Sequence, residues 1–203
     1  MNEHIVKRTK SFKTLGLKSK ARFDFRPFLD LDFKTTIEKE FIFCITTANS
    51  TAKSGLIFQK KIEKISLDEL MNQDLGKLLK ESKVRFHKRK AMYIKEFLKN
   101  IDKFYEALEQ HDPRPYLLRF KGIGPKEASH FLRNIGRFEY AIIDRHIIRF
   151  LESRFNIKVK TSPNYRQYLS LEKLFSKVSR KHGLEPGVYD LVIWYKATGK
   201  VLK

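Results

Sequence analysis

Two helices can be joined as tightly as the stretch Leu118-Arg119-Phe120-Lys121-Gly122-Ile123-Gly124-Pro125-Lys126-Glu127-Ala128 implies only where glycine relieves the backbone. The pattern predicts a first helix over 115–121, a turn at Gly122-Ile123-Gly124, and a second helix opened by Pro125, whose missing N–H costs nothing at that position. Ala128, Phe131, Leu132 and Ile135 then fall on one face, and Gly136 closes the helix. The glycines at 122 and 124 are read as allowing positive φ and close approach, while the second helix aims free amides outward. Together these make an anion site suited to a phosphate. A plain helix–helix turn also favours glycine. The amphipathic helices on both sides and the lysine that follows favour contact with nucleic acid.

Lys126 stands in the first turn of the second helix, where a cation opposes the helix dipole. Arg119, Lys121 and that dipole favour the neutral amine, and a neutral lysine is a nucleophile able to form a Schiff base with a sugar carbon. An ordinary solvated helix lysine is the plain alternative. Asp144, in Ala141-Ile142-Ile143-Asp144-Arg145-His146, is placed to N-cap a helix carrying Ile147, Ile148, Leu151 and Phe155. Capping alone would explain it. A carboxylate that caps can also face the lysine, accept its proton and steady positive charge on a sugar ring.

Composition points the same way. Among 203 residues, 43 Lys and Arg against 23 Asp and Glu leave a net charge of +20, which a polyanion would neutralise. A hydrophobic content of 41% with 13% aromatics argues for a packed chain rather than a disordered one. Cys44 is the only cysteine, which excludes an internal disulfide, a four-cysteine iron–sulfur cluster and a zinc ribbon. His87, His130 and His146 lack metal-ligand spacing, so no metal site is expected and the histidines are read as packing or phosphate contacts. No apolar run is long enough to span a membrane, and the N-terminus lacks the apolar core of a signal peptide, so an intracellular protein is expected.

Along the chain, Phe23 to Phe33 alternates apolar and polar residues and reads as a short strand or an extended connector. Helices are predicted near 34–48 and 51–64, from a capping box at Ser66 to Glu69 through Leu79, over 91–99 and 101–110, and near 164–182 and 187–197. The fold class is therefore all-α. Arg85, Lys88 and Arg89, with Phe86 and His87 among them, suggest a surface that meets the DNA backbone.

Gly122 to Gly136 and Ala141 to Ile147 resemble the helix-hairpin-helix DNA glycosylase superfamily, and within it the archaeal-type 8-oxoguanine DNA glycosylase/AP lyase branch. The resemblance extends to Phe43 to Asn49, Arg85 to Ile94 and the tail Asp190 to Lys203, and is less distinctive over the first thirty residues. It implies two helical lobes with a DNA-binding cleft between them, divided here as 1–33 with 138–203 and 34–137. It also implies that Lys126 is the Schiff-base nucleophile and Asp144 the carboxylate beside it. Phe86 and Trp194 would hold the extruded base between their faces, where core packing is the plain alternative, and Lys203 would help recognise it through its carboxylate. Gly122, Gly124, Lys121, Arg85, Lys88 and Arg89 would meet phosphates, with Asn49, His130 and Arg145 as further DNA contacts.

The expected activity is removal of 8-oxoguanine from double-stranded DNA followed by β-elimination, by a monomer of prokaryotic, archaeal-type origin needing no cofactor. The alternatives are a glycosylase for oxidised pyrimidines and a non-catalytic DNA-binding module, which would need neither Lys126 nor Asp144.

Overall fold

In the computed structural model, which describes residues 2–160 and 162–203, the chain opens on helix α1 (Glu3–Lys18). Asn2 caps it by accepting the His4 amide at 2.8 Å, and Ile5, Arg8, Phe12 and Leu15 form its buried face. The alternating segment resolves into an antiparallel pair, β1 (Lys20–Asp24) and β2 (Asp32–Thr36), with Phe23 opposite Phe33. Among the described residues this small sheet is the exception to an otherwise helical fold. Phe23, Phe25 and Phe33 turn into the core, which the period-two alternation of a strand requires.

Helix α2 (Ile37–Thr47) is buried along its whole length and begins later than expected because residues 32–36 pair as a strand. Helix α3 (Ala52–Lys61) follows. The single helix predicted from Ser66 to Leu79 is two, α4 (Leu67–Asn72) and α5 (Leu75–Glu81). The capping box at Ser66 and Glu69 forms, but Gln73 turns extended and Asp74 starts a new helix by accepting the Lys77 amide at 3.0 Å. Helices α6 (His87–Lys99) and α7 (Ile101–Leu108) lead to the hairpin.

The hairpin's first helix, α8 (Arg114–Leu117), is shorter than the predicted 115–121. Beyond it the amides of Arg119, Phe120 and Ile123 each reach back three residues, to Tyr116, Leu117 and Phe120, so the chain tightens before the turn. Helix α9 (Pro125–Asn134) carries the predicted buried face, and Gly136, at φ 86°, follows its end. Helices α10 (Arg145–Phe155), α11 (Tyr165–Lys181) and α12 (Pro186–Thr198) complete the order.

Two hydrophobic clusters organise these elements. The larger joins α1 and the strands to α2–α9, centred on Phe41, whose ring lies within 5.4 Å of those of Phe97, Phe104, Phe120 and Phe131. The smaller gathers Ala141 and Ile143 with α10, α11 and α12 around Leu151, Tyr168 and Phe175. The loop after α9 places Phe138 and Tyr140 in the first cluster and Ala141 and Ile143 in the second, and α12 contributes to both, so the cap of α10 follows directly on their junction. No described helix is long and apolar enough to cross a membrane.

Candidate active site

The turn is built differently from the expectation at one of its two glycines. Gly122 has φ 85°, and a Cβ there would meet the Tyr93 ring at 2.6 Å, so both backbone and neighbour demand glycine. Gly124 instead sits at φ −98°, extended, as the N-cap of α9. Its amide is held by the Glu127 carboxylate at 3.3 Å, the returning half of a capping box. That leaves the amides of Lys126 and Glu127 as the turn's outward donors.

Lys126 occupies the second position of α9 with its side chain 41% exposed, and its nearest acidic partner is Glu127 at 3.9 Å. One helical turn further on, His130 is buried against the Phe43 ring, with no hydrogen-bond partner at Nε2. Burial, with Arg133 and Lys126 nearby, holds His130 well below the usual imidazole range and therefore neutral. Of the two readings offered for His130, packing or a DNA contact, its burial fits packing. It packs beneath the lysine.

Asp144 caps α10 as predicted. Its Oδ1 accepts the amides of His146 at 2.8 Å and Ile147 at 3.0 Å. The side chain is only half-buried, so a capping carboxylate remains within reach of a ligand. Arg133, deeply buried on α9, lies in the field of Asp144 and acts in turn on His130. Burial lowers Arg133 and raises its partner Asp190, 3.8 Å away, to about 7.

A lysine not singled out from sequence lies in the field of Glu127 and Lys126. Lys90 is 4% exposed, donates to the Thr46 carbonyl at 2.6 Å, and is pushed down to about 8 by burial. The contact ties the start of α6 to the end of α2. Its position inside a basic run hid it, since the run reads as one surface facing DNA. Next to it, Arg85, Lys88 and Arg89 are exposed. The Arg85 amide donates to Ser50 Oγ at 3.3 Å, which brings the Arg85 loop beside exposed Asn49, a residue at φ 52°. Arg145 is exposed on the first turn of α10. Lys121 is exposed and pairs with Glu96 at 3.0 Å.

Phe86 is 46% exposed at φ 58°, with the guanidinium groups of Arg85 and Arg89 at 5.4 and 5.2 Å from its ring. A ring this exposed is not held in place by core packing. Trp194 is half-buried on α12, with the His146 ring edge-on at 6.4 Å. Lys203 is wholly enclosed. Its ammonium contacts Glu40 Oε2 at 2.5 Å and Gln59 Oε1 at 2.8 Å, and lies 4.1 and 4.9 Å from the rings of Phe23 and Phe43. Burial lowers it to about 8, against the opposing pull of Glu40. Among the described residues no group of three His, Cys, Asp or Glu could hold a metal ion.

Comparison with known proteins meets this geometry. The sequence profile described as 8-oxoguanine DNA glycosylase matches residues 19–184. A relative from Picrophilus torridus, an 8-oxoguanine DNA glycosylase/AP lyase, is 41% identical over 84% of this chain and 83% of its own length. A relative of the same name from Methanocaldococcus jannaschii is 42% identical over 81% and 82%. The crystal structure of the 8-oxoguanine DNA glycosylase of Thermotoga maritima superposes with a TM-score of 0.80 at 33% identity, covering 98% of this chain and 91% of that one. The Methanocaldococcus jannaschii glycosylase/lyase in complex with a 15mer DNA containing 8-oxoguanine superposes at 0.78 with 36% identity, covering 99% and 92%. With a half-exposed lysine at the hairpin, a capping aspartate opening the next helix and these relatives along nearly its whole length, the chain belongs to the 8-oxoguanine DNA glycosylase family.

Proposed function

We propose that the protein removes 8-oxoguanine from double-stranded DNA and then cuts the strand, with Lys126 as nucleophile. The observation that carries this reading is the placement of Lys126, reachable by solvent at the mouth of the hairpin and one helical turn from a neutral buried histidine, in a chain whose next helix is capped by the half-buried Asp144. DNA lies along the seam between the two clusters. The backbone is gripped by the turn at Gly122 and Gly124, by Lys121, and by Arg85, Lys88 and Arg89, with Arg145 and Asn49 beside them.

Lys126 attacks C1′ of the flipped nucleotide, the N-glycosidic bond breaks, and the base leaves with the bonding electrons. Asp144 takes up the amine proton and offsets charge on the sugar. Cleavage of the C1′–O4′ bond, with a proton passing to O4′, opens the sugar and leaves the imine; the imine acidifies C2′, and loss of a C2′ proton expels the 3′ phosphate by β-elimination. Phe86 and Trp194 flank the base. Lys203 acts on it through main-chain groups, because its ammonium is already committed to Glu40 and Gln59. The protein shares a compartment with the prokaryotic chromosome it repairs.

Single-turnover base release from duplexes differing only in the lesion tests this. Faster release of 8-oxoguanine than of oxidised pyrimidines is the expected result. The reverse order would move the substrate to pyrimidines, and binding without release at any lesion would leave a DNA-binding module.

A further inference from the structure

A chain of buried polar contacts runs from the hairpin to the segment in front of Asp144, and neither proposed reacting group is part of it. Arg114, on α8, donates through one guanidinium nitrogen to Ser129 Oγ at 3.0 Å and to both carboxylate oxygens of Glu172, on α11, at 2.8 and 2.7 Å. Ser129 lies one turn beyond Lys126 on α9 and gives its own proton to the Pro125 carbonyl at 2.8 Å. At the other end, Glu172 Oε1 accepts the Ala141 amide at 3.2 Å. The next amide, of Ile142, donates to Asp190 Oδ2 at 2.8 Å, and that of Ile143 to the Tyr168 hydroxyl at 3.1 Å. The same hydroxyl donates to the Ala141 carbonyl at 3.0 Å.

The three amides preceding Asp144 thus each end on a buried side chain of α11 or α12, in a segment that belongs to no helix or strand. Arg114, Ser129, Tyr168, Glu172 and Asp190 are all 8% exposed or less. Stability alone is a poor reason for such an arrangement, since a buried ion pair often contributes no more than apolar residues of the same volume. What directional bonds supply is a fixed backbone. Here the fixed backbone ends at Asp144, and the far end of the network is the first turn of the helix bearing Lys126.

We infer that Arg114, Glu172 and Tyr168 are positioning residues that set Asp144 at the head of α10 relative to Lys126 on α9. The inference rests on the assignment of Lys126 and Asp144 to the reaction. Catalytic groups must be held to a fraction of an ångström, and a displacement of about 1 Å can cost about a hundredfold in rate.

The test uses the full chain carrying Tyr168→Phe, which removes one hydroxyl and keeps the ring, alone and combined with Asp144→Asn. Single-turnover cleavage of 8-oxoguanine duplex at saturating enzyme is measured alongside DNA affinity and the melting temperature. Tyr168→Phe should slow cleavage about tenfold with affinity changed less than about twofold, and should add less than about twofold in the Asp144→Asn background. A wild-type rate in Tyr168→Phe, with Asp144→Asn slow, overturns the inference alone. So does the same tenfold loss in both backgrounds, which marks a lesion that does not act through Asp144. A wild-type rate in Asp144→Asn overturns the assignment of that residue and, with it, the need to position it. Glu172→Gln, which keeps an oxygen for the Ala141 amide, is read by the same criteria if Tyr168→Phe fails to fold.

Discussion

Lys126 and Lys203 are the same residue type given opposite work by their surroundings. The first is half-exposed with a carboxylate 3.9 Å away, the second enclosed between Glu40, Gln59 and phenylalanine rings. Replacing Lys203 by Met leaves Glu40 buried without its cation, so urea denaturation should show a loss of about 3–5 kcal/mol. Adding Glu40→Gln should recover part of that loss, and no recovery would mean that the two do not act as a pair. Asp190 provides a pH signature. Burial raises its carboxyl to about 7, so between about 4 and 7 the folded chain keeps a proton that the unfolded chain has released. Stability from this group therefore falls as pH rises across that window. Between pH 5 and pH 8 the wild type should lose melting temperature relative to Asp190→Asn, and parallel curves for the two proteins would contradict this. Neither enclosure was legible in the sequence. The partners of Lys203 come from α2 and α3, far away in the chain, and His130 became a packing residue only once α2 lay across it.

The elements that carry the site were legible because their signals are local. The Gly-Pro start of α9, its buried face and the Asp144 cap of α10 each reside within a few neighbouring residues. Helix α1 was less so, because Arg8 occupies a core-facing position that its charge makes look solvated. In the fold Arg8 donates to the Asp24 carbonyl at 2.9 Å and lies 4.2 Å from the Phe25 ring. The break between α4 and α5 depends on Asp74 outcompeting continuation, which periodicity does not register. At the turn, Gly122→Ala must bear both a left-handed backbone and the Tyr93 ring, whereas Gly183→Ala, at φ 66° with nothing within 4 Å, bears only the first. Chemical denaturation should give about 1 kcal/mol for Gly183→Ala and about 1–3 kcal/mol more for Gly122→Ala. Equal losses would mean that Tyr93 yields without cost.

Over the whole molecule, a charge of +20 and the exposed set Arg85, Lys88 and Arg89 imply binding led by phosphate contact. Changing Lys88 and Arg89 together to Gln should lower the slope of log affinity against log salt by about 2, with little effect on the single-turnover rate at saturating enzyme. An unchanged slope would place the DNA backbone elsewhere. The fold class followed from helical periodicity. The bonds that unite the two sides, from Arg114 through Glu172 to Ala141, span segments too distant for any pattern in the sequence to reveal. The proposed reaction requires that Lys126 become joined to the sugar. Borohydride reduction during turnover on a duplex with 8-oxoguanine opposite cytosine, followed by peptide mapping, tests it directly. One covalent adduct is expected at Lys126, absent in Lys126→Gln. An adduct at Lys90 or another lysine, or strand cleavage without any trapped complex, would contradict it.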